Sequence, residues 1–412
     1  MIKVCDSIMG SGKSSAAINY INSHKRKKFI YVTPFLDETV RIQGACPDHH
    51  FVKPSNRSPE FGFSKKSHTA ELIKQGKNIT TTHQAFRIYD LDMLDDIRKH
   101  HYTLIIDEAL EVLDQYSLNE DDMQMLLDIG YIEDRGGKMY PSSSKRYTGA
   151  AFKDLFTKMN ARGAVEAGDT DVELNSCVYW LLPPSLLTSF DDVFIMTYMF
   201  DTQDMRCMLE VNHLDYKYIY VKNDGGKFEF SDKKQPAPAY VRNIKNLVNI
   251  CDSDKLNVIG DDTYALSMNW FRTNSDGVDR LKKHVYNYVH NIVGAKGSDT
   301  IWTTFSVYKD YLKGKGYSTS FLQFCSRATN DYADRTTCIY AVNVFMNVGV
   351  RLYCKRHGVD IDDDRYALSV MSQWLWRSAI RNGKPINVYI PSKRMRGILV
   401  DWLDRLANGG ES

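Results

Sequence analysis

Lys13 and Ser14 follow Gly10-Ser11-Gly12, shortly after an apolar run from Ile2 to Cys5. A phosphate-binding loop needs this order of strand, small-residue turn and helix. Backbone amides close around phosphate oxygens, an ammonium sits on the β and γ phosphates, and a hydroxyl reaches magnesium. Gly10, Ser11, Gly12, Lys13, Ser14 and Ser15 are therefore the candidate nucleotide-binding residues. Ser7 stands where the first glycine of a Walker loop is expected. The bland alternative is an ordinary glycine turn before a helix. The succession of strand, glycines, lysine, serine and helix in one order speaks against it.

Two further groups could complete a reaction. Asp107 and Glu108 end the apolar run Leu104-Ile105-Ile106. An aspartate there can hold the magnesium that Ser14 also contacts, and the adjacent glutamate can orient or deprotonate water. The presence of Glu108 points to hydrolysis rather than nucleotide storage. A solvated helix start would explain either acid alone. The other group is Gln373, Arg377 and Arg381, spaced four apart. On a continuous helix they share one face and could reach a single cleft. The competing reading is a basic face toward solvent, with Trp374 and Trp376 as core.

The elements that must position these groups read as follows. Residues 1 to about 115 alternate short apolar strands with helical stretches, which predicts a parallel sheet with crossover helices. Their polar carboxyl ends should converge on the loop at 7 to 14. Residues 116 to 180 break the rhythm with RGGKMYPSSSKRYTG and read as an insertion; DDVFIMTYMF then resumes the sheet. KYIYVKNDGGKFEFS is a hairpin turning at Gly225-Gly226, and DKKQPAPAY a linker. Beyond it, DTIWTTFSVYKDYLKGKG, SFLQF and INVYI supply strands of a second α/β unit. The expected domains are 1–232, a linker at 233–239, and 240–412.

Composition sets bounds on function. A chain of 412 residues suits about two domains, and 43% hydrophobic with 25% charged residues describes a folded globular protein. A net charge of +2 excludes a global basic field. Affinity for nucleic acid must come from clusters such as Arg377, Arg381, Lys384, Lys393, Arg394 and Arg396, a stretch without acids. The eight cysteines form no Cys-x-x-Cys pair, which favours reduced thiols over a metal or disulfide framework. No signal peptide or membrane span is read, so the expected setting is the cytoplasm of a bacterium or phage-infected cell, with no membrane partner.

GSGKS, YVTP, TTTHQAF, LIIDEAL and VFIMTYMF, in this order, resemble motifs I, Ia, Ib, II and III of superfamily 2 (DEAD/DEAH-like) helicases. IWTTFSVYKDYL resembles motif IV, and FCSRATNDYADR occupies the place of motif V. The arginine region is similar to Gln-x-x-Gly-Arg-x-x-Arg, with Trp376 in place of glycine and the last arginine one position late. Met196-Thr197-Tyr198 stands where the family has Ser-Ala-Thr. The Arg-Ala-Thr-Asn block is similar to helicase-like replication proteins of bacteriophages and mobile elements.

The resemblance implies two RecA-like P-loop NTPase domains with parallel sheets, an α/β fold with an insertion in the first. It implies ATP and Mg2+ between the domains, with Lys13, Ser14, Asp107 and Glu108 on one side and Gln373, Arg377 and Arg381 on the other. It places nucleic acid, with DNA favoured over RNA, at Thr33, Pro34, Thr82, His83, Thr304, Arg327 and Thr329, although the threonines also serve as strand-end caps and His83 equally as a structural histidine. The expected function is a nucleic-acid-dependent ATP hydrolase that translocates on or unwinds DNA in phage or mobile-element replication, alongside replication or phage proteins. The rivals are a nucleotide-switched DNA-binding protein that unwinds nothing and a small-molecule phosphotransferase.

Overall fold

The computed structural model describes residues 1–56, 64–87, 89–135, 138–162, 165–167, 177–325 and 331–409. The chain divides into two units. The first comprises Met1–Ser7, Gly12–Lys234 and Asn347–Ile361, and the second Ile8–Ser11, Gln235–Met346 and Asp362–Ser412.

The first unit is built on strands β1 (Ile2–Asp6), β2 (Lys28–Thr33), β3 (Ile79–Thr82) and β4 (Tyr102–Asp107). After an inserted sheet of β5 (Leu113–Ser117), β6 (Ile132–Asp134), β7 (Lys138–Pro141), β8 (Val165–Ala167) and β9 (Cys177–Leu181), the main sheet resumes with β10 (Asp192–Thr197) and β11 (Tyr216–Tyr218). The main sheet is parallel throughout, in the order β11-β1-β10-β4-β2-β3. Both of its faces are covered, which is why its strands read as continuous apolar runs. Ile30, Val32, Leu104 and Ile106 pack into one core, while Phe29, Tyr31 and Ile105 pack into another on the opposite face. This is the period-two alternation of a strand, with both phases apolar.

The inserted sheet is antiparallel, ordered β5-β9-β8-β7-β6, and carries the helices Glu120–Asp128 and Lys153–Arg162. Its short strands were not legible in the Gly- and Ser-rich stretch, where only the helices stand out. A hairpin of β12 (Tyr220–Asp224) and β13 (Lys227–Ser231) follows β11, turning at Gly225 and Gly226, both with positive φ.

The second unit has a parallel sheet of β14 (Val248–Ile250), β15 (Thr300–Thr303), β16 (Thr337–Tyr340) and β17 (Ile386–Tyr389), in the order β14-β17-β16-β15. Trp302, Ile339 and Tyr389 centre its core. SFLQF is not a strand of this sheet. It meets it only through a single parallel bridge between Trp302 and Phe321. The fold class is thus the expected α/β one, parallel sheets in both units and an insertion in the first.

Candidate nucleotide-hydrolysis site

Helix α1 (Lys13–Ser23) starts at the candidate phosphate loop, with Gly12 as its N-cap. Gly10 and Gly12 have φ of 79° and 89°, left-handed values that a side chain rarely tolerates. At Gly12 there is also no room: a Cβ would lie 2.2 Å from the Phe228 ring of β13. Lys13 and Ser14 are the first two residues of α1, and Ser15 is exposed beside them. Lys13 Nζ donates to the Ser7 carbonyl. Burial pushes its ammonium down from the usual lysine value, and the acidic neighbours Cys5, Asp6, Asp107 and Glu108 oppose that shift.

β4 delivers Asp107 to the same place. Ser14 Oγ donates to Asp107 Oδ2 at 3.1 Å, and the phenol of Tyr31 on β2 donates to the same oxygen at 2.9 Å. Burial, then the Glu108 charge, raises the Asp107 carboxyl to about 6, while the bonds from Tyr31 and Ser14 pull it down. Tyr31 is driven well above the ordinary tyrosine value by burial and by that carboxylate. His83 Nε2 donates to the Asp107 carbonyl at 2.9 Å, so His83 braces the end of β4.

Glu108 leaves the strand with φ of 62°, a left-handed conformation that costs a non-glycine residue on the order of 1–3 kcal/mol. Its N–H donates to the Met196 carbonyl at 2.9 Å, which turns the chain sharply at the end of the sheet. Strain of this kind persists where the surroundings fix one geometry for a side chain.

The donor set of a serine hydroxyl and a carboxylate fits Mg2+, which prefers hard oxygen ligands and completes its shell with phosphate oxygens and water. Among the described residues no cluster of three or more His, Cys, Asp or Glu assembles a metal site of its own. A cation held here would lean on Ser14 and Asp107.

The other sequence candidates divide. Thr33 and Thr82 are register partners at the ends of β2 and β3, with Pro34 just beyond. Thr33 is fully buried, as is Thr304 just past β15, and neither hydroxyl has a hydrogen-bond partner among the described residues. Thr82 caps the following helical turn through Ala85 N–H at 3.4 Å. Arg327 and Thr329 lie outside the described residues.

The shared helical face of Gln373, Arg377 and Arg381 does not exist. The helix Asp363–Leu375 contains Gln373 but stops before Arg377, and Arg381 sits in a separate 3-10 segment, Ala379–Asn382. At the break Ser378 is extended (ψ −171°), its hydroxyl donates to the Leu375 carbonyl at 2.6 Å, and Ala379 N–H turns to the distant Arg335 carbonyl at 2.8 Å. Spacing of four implies a common face only while the helix lasts.

Sequence reasoning missed Tyr31, although a phenol two residues before the end of a strand beside the acid pair is a readable signal. It also missed Asp6, which directly precedes the loop, and Asp204.

A family model, YonV C-terminal Rossmann-like domain, matches residues 242–403. The chain is 34% identical over 407 residues to the SPbeta prophage-derived uncharacterized protein YonV of Bacillus subtilis (strain 168), covering 98% of each. The chain belongs to the YonV family. Among solved structures, it is similar to Xpd4 of S. tokodaii, at 12% identity and a TM-score of 0.42, covering 97% of this chain and 93% of that one. A DEAD box protein from Methanococcus jannaschii aligns at 12% identity and a TM-score of 0.26, covering 98% and 86%. Likenesses this low carry no argument, so the reading of this YonV-family chain rests on its own residues. Among the described residues no helix is long and apolar enough to cross a membrane.

Proposed function

We propose that this chain is a nucleic-acid-dependent ATP hydrolase of the superfamily 2 helicase type, acting on DNA in the replication of a phage or mobile element. The observation that carries the reading is the meeting of Ser14 Oγ with Asp107 Oδ2 at 3.1 Å, beside the strained Glu108 and at the start of the helix that bears Lys13. Prophage origin of a relative over the whole chain supports the proposed setting.

In this reading the loop amides and Lys13 hold the β and γ phosphates. Ser14 and Asp107 hold Mg2+, which when bound neutralises phosphate charge. Tyr31 and His83 fix Asp107 from its carboxylate and its carbonyl. Glu108 orients the attacking water and accepts its proton. Arg377 or Arg381 is assigned the cation that stabilises the departing γ phosphate. Polymer is gripped at the polar strand ends; since Thr33 and Thr304 are buried, that grip falls to backbone amides and to exposed neighbours.

The test is ATP turnover with and without single-stranded DNA, duplex DNA and RNA, on wild type and Lys13→Ala, with strand displacement measured in parallel. The reading predicts polymer-stimulated, Lys13-dependent turnover with DNA the better activator. Turnover that no polymer stimulates would favour a phosphotransferase. Stimulated turnover without strand displacement would favour the nucleotide-switched DNA-binding protein.

A further inference from the structure

The strand that leads into the phosphate loop and the strand that ends in the acid pair are not neighbours, because β10 lies between them. The turn after β10 is tied to both sides by a carboxylate. On the loop side, Asp6 ends β1 and accepts from two consecutive amides, Met199 N–H at 2.8 Å and Phe200 N–H at 2.9 Å. Ser7 N–H adds a bond to the Thr197 carbonyl at 3.1 Å. On the acid side, Asp204 Oδ2 accepts from another consecutive pair, Val112 N–H at 2.8 Å and Leu113 N–H at 3.0 Å, just beyond Glu108.

The turn between the two carboxylates is itself stiff. Gln203 Nε2 donates to Thr197 Oγ1 at 2.7 Å and to the Tyr198 carbonyl at 3.1 Å, and Met199 is held at φ of 55°. Hydrogen bonds from amides to an ionised carboxylate are the stronger kind, and two on one carboxylate fix orientation as well as distance. Lys13 reaches back to the Ser7 carbonyl and Glu108 donates its N–H to the Met196 carbonyl, so both groups hang from the ends of this one bridge.

We propose that Asp6 and Asp204 are positioning residues for ATP hydrolysis: acting through the turn after β10, they set the separation between Lys13 on the phosphate and Glu108 on the water. The proposal rests on the ATPase reading above. Its physical basis is the steep dependence of an in-line displacement on the placement of nucleophile and phosphate, where errors of about 1 Å cost about a hundredfold.

The near-isosteric variants Asp6→Asn and Asp204→Asn, singly and together, test it in the full chain. kcat and KM for ATP are measured with the activating polymer, Kd with a fluorescent ATP analogue, and folding by thermal melting. Each variant is expected to lower kcat about tenfold with Kd within about threefold of wild type, and the pair to lose less than the product of the singles, because both work through one turn. Gln203→Ala, which loosens the turn without touching either carboxylate, is expected to lower kcat in the same way. Lowered melting temperatures with wild-type kcat per folded molecule, fully multiplicative losses, or an unaltered kcat in Gln203→Ala would each overturn the proposal. Turnover that Lys13→Ala abolishes but both asparagine variants retain overturns this inference alone. Absence of Lys13-dependent turnover in wild type overturns the ATPase reading and this inference with it.

Discussion

In the first unit the proposed catalytic groups follow the sheet, and in the second they follow an interrupted helix. Asp107, Thr33 and Thr82 end three adjacent parallel strands whose register is continuous, and α1 begins at the loop that joins it to the same sheet. Their mutual placement is therefore inherited from strand pairing and from the βα connection. Arg377 and Arg381 have no such common frame, since one lies past the end of a helix and the other in a 3-10 turn. A polar group at a strand end is placed by many residues at once, whereas a group beyond a helix end is placed by the few that decide where the helix stops.

Breaking the first unit's site should have the largest effect. Lys13→Ala is expected to reduce ATP turnover by about a thousandfold or more, because no other ammonium takes its place on the β and γ phosphates. Turnover within about tenfold of wild type would remove the phosphate loop from the mechanism.

The second unit sharpens the contrast. Were the arginines on one helical face, Arg377→Ala and Arg381→Ala would fail alike. With the helix ended at Leu375, one variant should lose about a hundredfold or more in kcat with nearly unchanged nucleotide binding, and the other much less. Single-turnover rates on the two variants check this, and equal losses would restore the common-face picture.

A smaller effect is expected from Tyr31→Phe. Removing one hydrogen bond to Asp107 Oδ2 should raise the Mg2+ concentration for half-maximal activity by about tenfold, with kcat at saturating Mg2+ close to wild type. Titration of Mg2+-dependent nucleotide binding provides a readout independent of turnover.

The smallest lies at the far end of the sheet, away from chemistry. Asp192, though partly buried, is held at about 2 by hydrogen bonds from Lys3 and Lys27 at 2.7 and 2.9 Å. A depressed carboxylate contributes stability above its unfolded value near 3.8 and loses it as pH falls toward 2. Asp192→Asn should cost on the order of 1–2 kcal/mol at neutral pH and flatten the acid limb of the stability curve between about pH 4 and 2, as read by urea titration at several pH values.

The same contrast explains what could be read from the chain alone. The strands Lys28–Thr33 and Tyr102–Asp107 are legible because both faces are buried and the runs 29–32 and 104–106 are apolar up to the polar end. The glycines, Lys13 and Ser14 are legible because their order has a mechanical reason. The antiparallel insertion was not, since strands of three to five residues separated by Ser- and Gly-rich turns carry little periodic signal. Nor was the helix end at Leu375: it is decided by the Arg335 carbonyl, some forty positions away, capturing Ala379 N–H. Asp6 and Asp204 act through contacts distant in sequence, which no local pattern displays.

The most direct measurement of the central claim is the turnover and nucleotide affinity of Glu108→Gln under polymer-stimulated conditions. Glutamine keeps the size of the side chain but cannot accept the proton of water. Nucleotide affinity equal to or tighter than wild type, with turnover reduced by about a hundredfold or more, is the result expected of the residue that orients the attacking water. Turnover left intact would contradict the assignment and the hydrolytic mechanism built on it.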